Sequence, residues 1–289
     1  MVYSCVNNIL YLKNKMSNKI YPNTEPFSQE RNTNVNFNYV WDENSGNWIP
    51  QVQSSITLDY VLNNAKSFVH KFGSNPDINQ NVNISSPETI WDGSNLYQFP
   101  SDDGEFLEIV SSSASDTQNV LVQGLDENFM EKTWVGQLSG LTPVNLDGLW
   151  SRVFRAYNDN DIDFVGDISI RQQSTSTPNY TTILSSNNQT LMSVYTIPAD
   201  RKGYLIKYQS TAYNPQSSSE IGYTLQMRVR KYSKTFRTQS ITSVGTSHAI
   251  IQEFPFPIEL SPKSDIMFNV VGANGNNGAI NVDFDIALL

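Results

Sequence analysis

Six carboxylates could supply acid–base chemistry, and all lie between residues 102 and 127: Asp102, Asp103, Glu105, Glu108, Asp126 and Glu127. A pair of Asp or Glu residues can hydrolyse a glycosidic bond, and such a pair leaves no local sequence signature. These six fall on expected turns and strand edges, where solvated carboxylates are usual. We therefore expect no catalytic residue among them, with glycan hydrolysis kept as an alternative.

Other catalytic groups are scarce, because the chain has only His70, His248 and Cys5 as further candidates. No HExxH, GxSxG, P-loop, CxxC or dinucleotide-binding glycine motif occurs. One cysteine and two distant histidines cannot form an ordinary tetrahedral zinc site or an intrachain disulfide. We expect His70 to be a solvated surface residue and His248 a loop or partly buried residue. The sequence thus predicts no enzyme and no cofactor.

The acidic segment 158–163 invites a calcium hypothesis, since Asp159, Asp161 and Asp163 occupy alternate positions. An EF-hand loop, however, needs a glycine at its sixth position and a bidentate glutamate at its twelfth. The glycine is missing, and Ile170 stands where the glutamate should be. A plain turn between two strands is the favoured interpretation, and the three aspartates remain a weak calcium candidate.

The basic residues concentrate in one place, together with Tyr232 and Phe236: Arg228, Arg230, Lys231, Lys234 and Arg237. Cations interleaved with aromatic rings can bind nucleic acid. The chain as a whole has a net charge of −9 and a pI of about 4.7, which is unfavourable for binding phosphates. We expect no nucleic-acid partner, and we interpret Arg228, Arg230, Lys231 and Arg237 as residues of a subunit interface that meets an acidic neighbour.

The elements that must position these residues are strands. From Ile90 onward, short segments of β-forming residues recur every 10 to 18 residues, separated by Gly, Pro, Asn, Asp or Ser. The clearest alternation sets Tyr223, Leu225, Met227 and Val229 on one face. We predict a mainly β fold, an antiparallel β-sandwich or jelly-roll-like body over residues 87–289. Segment 173–189 either divides this body into two subdomains or forms one long loop between the sheets of a single sandwich.

The N-terminal part differs in character. Residues 1–16 are expected to be a disordered extension without a secretory signal. Residues 17–86 are expected to form an arm with an aromatic hairpin, in which Trp41 and Trp48 flank the turn Asn44-Ser45-Gly46. Apolar residues at helical spacing predict one amphipathic helix over 55–73. Trp41 and Trp48 are interface candidates, either with the chain's own body or with a neighbouring subunit.

Several segments resemble a family of tailed-bacteriophage virion structural proteins, many of them from marine and cyanobacterial phages. They cover residues 87–289 in order and include Pro87–Ser101 (PETIWDGSNLYQFPS), Glu108–Thr117, Val122–Asp126, Arg152–Ala156, Gly166–Ile168, Gln189–Met192, Tyr195–Ala199, Gly203–Leu205, Arg228–Arg230, Phe236–Thr238 and Asp265–Ile266. Asp102-Asp103-Gly104 departs from the Ser/Ala-rich stretch of that family, and segment 158–165 is more acidic. Residues 1–86 lie outside the resemblance.

The resemblance implies a non-catalytic component of the virion, either a head decoration or a neck- or tail-associated protein, assembled in the host cytoplasm. Its partners would be capsid, portal or tail subunits and further copies of itself. No run of about 18 apolar residues occurs, so we expect no membrane partner. The first alternative is a receptor-binding module for a host-surface glycan, with Trp91, Tyr97 and Phe99 as sugar platforms, although core packing is the favoured role of these rings. The second is a virion-associated glycan hydrolase.

Overall fold

The computed structural model describes residues 27–30, 36–42, 47–52 and 57–289, the last range without 186, 215–219, 247 and 276–277. The chain divides into two compact units, Met1–Thr57 and Leu58–Leu289. The expected extension over residues 1–16 lies outside the described residues. Among the described residues, no helix has the length and apolar character needed to cross a membrane.

The first unit contains a three-stranded antiparallel sheet of β1 (Phe27–Glu30), β2 (Asn36–Asp42) and β3 (Asn47–Val52), in that order. Strands β2 and β3 form the predicted hairpin, and Trp41 lies directly opposite Trp48 in their register. The local turn sequence was sufficient to predict this pairing, because it is fixed within a few residues of the turn.

The described residues of the second unit form one helix, α1 (Leu58–Asn64), and the following strands: β4 (Ser67–Ile78), β5 (Glu88–Thr89), β6 (Glu105–Ser111), β7 (Asn119–Leu125), β8 (Glu131–Gln137), β9 (Val144–Trp150), β10 (Arg152–Asn158), β11 (Ile168–Gln172), β12 (Asn179–Ile183), β13 (Val194–Thr196), β14 (Gly203–Tyr213), β15 (Gly222–Arg230), β16 (Arg237–Gly245), β17 (Ile250–Leu260), β18 (Asp265–Asn274) and β19 (Gly278–Leu288). All pairings between these strands are antiparallel. The predicted mainly β, antiparallel fold is confirmed.

The predicted helix over 55–73 is wrong in its second half. Only α1 is helical, and β4 begins at Ser67 and pairs with β19 from Ser67 opposite Leu288 to Ile78 opposite Gly278. The apolar spacing of this segment is helical, and the strand that forms leaves Phe68 and Phe72 exposed while it buries Lys71 and Asn75, so long-range pairing with β19 overrides the local pattern. Because β4 belongs to a sheet of the second unit, residues 58–86, which the sequence pattern assigned to the arm, contribute to the β-body.

Two sheets enclose the first hydrophobic core, which we call core A. One sheet has the order β13-β18-β15-β16, with β5 paired to β18, and the other has the order β17-β14-β19-β4. Tyr208 and Phe284 from the second sheet pack with Leu225, Met227 and Phe268 from the first. The predicted alternation in β15 is confirmed, since Tyr223, Leu225, Met227 and Val229 are all buried.

A second core, core B, is built from residues 105–183. It lies between the sheets β12-β11-β6-β9 and β10-β7-β8, and Trp150, Ile109, Val122 and Ile170 are buried in it. In sequence, core B is inserted between β5 and β13 of core A. Its last strand ends at Ile183, within the segment 173–189 where the sequence suggested a division. Both cores nevertheless belong to one compact unit.

Candidate functional site

The main charged cluster joins the two cores. Arg152 opens β10 in core B, and Asp265 opens β18 in core A. The Arg152 Nε lies 2.8 Å from Asp265 Oδ1 and its Nη2 lies 3.2 Å from Oδ2, so the two groups form a bidentate pair. Their side chains are 3% and 1% exposed. This pair is therefore a buried link between segments that are 113 residues apart in sequence.

Further groups complete the hydrogen bonding of the cluster. Arg152 Nη2 also lies 2.6 Å from Asp102 Oδ1, while Nη1 donates to the carbonyls of Pro100 and Ser151. Burial lowers the pKa of Arg152, but the neighbouring carboxylates of Asp265 and Asp102 outweigh it and hold that pKa above its ordinary value. The guanidinium is charged and saturated with acceptors, as a buried arginine requires.

Asp265 also binds a second arginine. Arg230 Nε donates to Asp265 Oδ2 at 2.7 Å, and the hydroxyl of Thr196 donates to Oδ1 at 2.6 Å. Arg230 Nη2 lies 3.8 Å from Asp102 Oδ1. From the sequence, Arg230 was expected at an interface with an acidic neighbour of another chain. The structure gives it acidic partners within its own chain.

Aromatic rings cover both guanidinium groups. Arg152 lies 5.1 Å from the centre of the Phe99 ring and 4.8 Å from that of Phe129. Arg230 lies 5.0 Å from the centres of both Phe99 and Phe236. In these cation–π contacts the aromatic ring faces attract the guanidinium charges, which compensates for the hydration lost on burial. The rings also keep water from the ion pairs. The cluster has the features of a structural joint.

Beside this joint lies a surface that we call the basic strip, formed by Arg228, Lys231, Lys234 and Arg237. Lys231, Lys234 and Arg237 are exposed, and Arg228 is half-buried over the Phe236 ring at 5.3 Å. Within the described part of the chain, none of the four forms an ion pair. The Nε of Arg228 is buried without a hydrogen-bond partner, and desolvation lowers the pKa of this residue. The basic strip is thus positive charge without an acidic partner in its own described structure.

The turn that held the weak calcium candidate, which we call the acidic loop (Asp159, Asp161 and Asp163), follows the end of β10. All three aspartates are exposed. Asp163 Oδ1 accepts a hydrogen bond from Asn188, and Asn158 Nδ2 donates to the carbonyl of Ile162. Among the described residues, no group of three or more His, Cys, Asp or Glu side chains is placed to hold a metal ion.

A buried carboxylate that carries no sequence signal anchors the far end of this loop. Asp116 is 0% exposed and accepts hydrogen bonds from the backbone amides of Val165 and Gly166 at 2.8 and 2.9 Å. Burial raises the pKa of Asp116, but these amides and the hydroxyl of Ser111 outweigh it and hold the pKa below its usual value. The segment that carries the acidic loop is therefore held at a fixed position.

Four of the six carboxylates considered for hydrolysis are occupied by structural contacts. Glu105 accepts a hydrogen bond from the Tyr180 hydroxyl, and Glu108 pairs with Arg171 at 2.8 Å. Asp126 accepts from the amides of Asn128 and Met130 in a tight turn. Asp102 is a member of the joint. Asp103 is exposed.

The remaining candidates from the sequence are spread over the molecule. His70 is exposed in β4 and bonds Asp285 at 2.6 Å, and His248 is exposed in the turn before β17. Trp91 and Tyr97 are 4% and 3% exposed and pack edge to face, with their ring centres 5.1 Å apart. Their predicted core packing is confirmed, and these two buried rings are therefore not available as platforms for a sugar.

Two further buried ionisable groups could not be recognised in the sequence. Lys71, expected near a helix end, is buried in β4 and donates to the carbonyl of Phe154 in core B, and burial with the nearby charge of Arg155 lowers its pKa to about 7. Asp92 accepts a hydrogen bond from the amide of Leu191 at 3.0 Å, and burial raises its pKa to about 7. Neither carries a local sequence signal, since both are buried by strands distant in sequence.

One open polar depression of about 300 Å³ lies along residues 79–96. Amides and a carboxylate form much of its wall, together with a few apolar side chains: Asn79, Asn81, Val82, Ser85, Ser86, Pro87, Glu88, Asn95 and Leu96. Glu88 is held by the amide of Asn79 at 3.0 Å, and burial raises its pKa. Its carboxylate is already engaged in a hydrogen bond with the backbone of the loop that forms the wall.

Comparison with known proteins gives no family. No protein-family model matches the chain, and no curated protein matches it. Among solved structures, that of infectious bursal disease virus Gt strain matches 78% of this chain and 72% of that chain, with 9% identity and a TM-score of 0.23. A TM-score of this size carries no argument about fold or function.

Proposed function

We propose that this protein is a non-catalytic structural component of a bacteriophage virion and that it acts by packing against other proteins. The observation that carries the protein-contact role is the basic strip, whose cations have no acidic partner among the described residues although the chain has a net charge of −9. Opposite charges on two surfaces steer and align protein partners. The virion assignment is supported by the ordered sequence resemblance over residues 87–289.

The buried joint supports a structural role. Replacing a buried ion pair by apolar side chains often leaves stability unchanged or raises it, so the pair is weak evidence of stability by itself. A bidentate contact between Arg152 and Asp265 does fix the orientation of core B on core A. A subunit that must present surfaces on both cores to its neighbours needs such a fixed orientation.

A protein partner is favoured over nucleic acid at the basic strip. Binding to a phosphate backbone needs several cations, and the remainder of this acidic chain would repel a polyanion. The two arginines best placed to extend the strip add no free positive charge to it, because Arg230 is neutralised by Asp265 and Arg152 is buried. A compact acidic patch on a protein fits the four remaining cations better.

Within a virion, the protein would be a head decoration or a neck- or tail-associated subunit. The test is mass spectrometry of purified particles, followed by cryo-electron microscopy that locates the chain and counts its copies. Copies spread over the capsid lattice would identify a decoration protein, and a ring at the portal vertex or tail would identify a connector or tail component. Absence from purified particles, or tight salt-resistant binding of duplex DNA by the isolated chain, would overturn the proposal.

A further inference from the structure

We propose that the basic strip of one copy binds the acidic loop of a second copy, so that the protein associates with itself head to tail. This inference rests on the proposed structural role and names the partner of the basic strip. The two surfaces have opposite charges. The strip has four cations, Arg228, Lys231, Lys234 and Arg237, and the loop has three exposed carboxylates, Asp159, Asp161 and Asp163.

The two surfaces lie at opposite ends of one strand. Arg152 begins β10 and shares Asp265 with Arg230, which immediately precedes the turn of the basic strip. Asn158 ends β10, and the acidic loop follows it. Six residue steps of extended strand span about 20 Å. The loop of one molecule therefore cannot reach the strip of the same molecule.

Both surfaces are held in place. The loop is tied to the start of β7, because the amide of Asp159 donates to the carbonyl of Asn119, and Asp116 fixes its far end through Val165 and Gly166. The strip runs from the end of β15 through the turn to the start of β16, and Arg230, the last residue of β15, is locked into the joint. Rigid surfaces lose little conformational freedom on association. The backbone segments that carry the charges are therefore arranged before the partner arrives.

Apolar side chains accompany the charges on each surface. Ile162 lies within the acidic loop and is 70% exposed, and Val165 just beyond it is 65% exposed. On the strip, Tyr232 is 41% exposed. Burying such groups against each other adds a contribution that salt does not screen. Charge then selects the orientation and apolar contact adds to the affinity.

A second copy is the occupant that local charge complementarity favours, because each chain carries an exposed acidic loop opposite in charge to the basic strip. Two molecules that each carry a net charge of −9 repel at long range, so they approach best where a positive patch meets a negative one. Each copy carries one strip and one loop at separate places. Contacts of this type are heterologous and build either closed rings or open filaments.

The experiment is a charge swap in the full-length chain. The mass of the wild-type protein is measured by light scattering and analytical ultracentrifugation at low ionic strength and at about 1 M salt, where the Debye length is about 3 Å. We expect self-association at low salt that weakens at high salt. Lys231→Glu and Asp161→Lys should each weaken it about tenfold or more, and the chain carrying both substitutions should recover it, because opposite charges face each other again.

Matched controls change the same charge elsewhere. Lys66→Glu and Asp147→Lys alter exposed residues outside the strip and the loop, and both should leave self-association within about twofold of the wild type. All variants must retain the circular dichroism spectrum and thermal unfolding of the wild type. A wild-type chain that stays monomeric at low salt, or a double variant that does not recover association, would overturn the head-to-tail contact.

The two proposals fail separately. Normal presence of the chain in purified particles together with no charge-dependent self-association would overturn only the head-to-tail contact. Charge-dependent self-association of a chain that is absent from particles would support the contact and overturn the virion role.

Discussion

Arg152 and Asp265 form a bidentate ion pair across the two cores, with 2.8 Å between Nε and Oδ1 and almost no exposure of either side chain. Asp265 simultaneously binds Arg230 and Thr196. Asp265 thus binds two guanidinium groups at once, and its loss would leave Asp102 as the carboxylate near both of them. The orientation of core B on core A depends on this residue.

We predict that Asp265→Asn lowers the free energy of unfolding by about 3 kcal/mol, because removing one partner of a buried ion pair leaves uncompensated buried charge. Urea denaturation followed by tryptophan fluorescence measures the change. The control is Asp200→Asn, whose partner Arg201 lies 3.3 Å away on the surface, and it should cost less than about 1 kcal/mol. Equal effects of the two substitutions would contradict a special role for the joint.

We predict that the contribution of Lys71 to the free energy of unfolding increases as the pH rises above 7. Burial and Arg155 lower the pKa of Lys71 to about 7, so between pH 7 and 10 the unfolded chain binds a proton that the folded chain does not. The contribution of this group to the free energy of unfolding then rises by at most about 1.4 kcal/mol per pH unit. Urea denaturation at pH 7 and pH 9 should show this rise in the wild type and not in Lys71→Met. An unchanged slope in the variant would show that Lys71 is not the source.

We predict that the contribution of Asp92 to the free energy of unfolding decreases as the pH rises from 4 to 7. Burial raises the pKa of Asp92 to about 7, so between pH 4 and 7 the folded chain holds a proton that the unfolded chain releases. The contribution of this carboxyl therefore falls as the pH rises through that range, by at most about 1.4 kcal/mol per pH unit. In Asp92→Asn this dependence should disappear. The free energy of unfolding of the variant minus that of the wild type should therefore be more positive at pH 6.5 than at pH 4.5. A constant difference would contradict the assignment.

Removal of residues 1–57 should leave the β-body folded, whereas removal of residues 1–86 should not. The shorter deletion retains β4, which pairs with β19 over its length and buries Lys71 and Ile78. The longer deletion takes away this edge strand and exposes one side of core A, where Ile280 and Phe284 are fully buried. Differential scanning calorimetry distinguishes a cooperative transition from its loss. Cooperative unfolding of the longer deletion would place the start of the body at residue 87 after all.

The elements that the sequence predicted well are those with local causes. The hairpin with Trp41 opposite Trp48 follows from its own turn, and the alternation of β15 follows from one buried face. The prediction for segment 55–73 failed because its apolar spacing is helical, whereas the strand exposes Phe68 and Phe72 and buries Lys71, and pairing with β19, about 210 residues later in the chain, decides the outcome.

The joint could not be derived from the sequence in the same way. Arg152 and Asp265 are separated by 113 residues, and neither stands in a local motif that suggests a partner. The sequence showed that basic residues gather between 228 and 237, but not that Arg230 turns inward to Asp265 while Lys231, Lys234 and Arg237 stay exposed. That distinction depends on strand pairing between β15 and β18, in which Arg230 lies opposite Asp265.

Gly124 provides a test of how closely β7 and β10 approach beside the joint. A Cβ atom at this position would come within 2.0 Å of the carbonyl oxygen of Arg152, and that backbone atom cannot move without disturbing the arginine. We predict that Gly124→Ala lowers the free energy of unfolding by about 2 kcal/mol. The control is Gly222→Ala, where the nearest atoms lie 3.8 Å away and the added methyl group should be neutral or stabilising by about 0.5 kcal/mol. Chemical denaturation of both variants compares them directly, and a neutral Gly124→Ala would mean that β10 can shift at Arg152 without loosening the two cores.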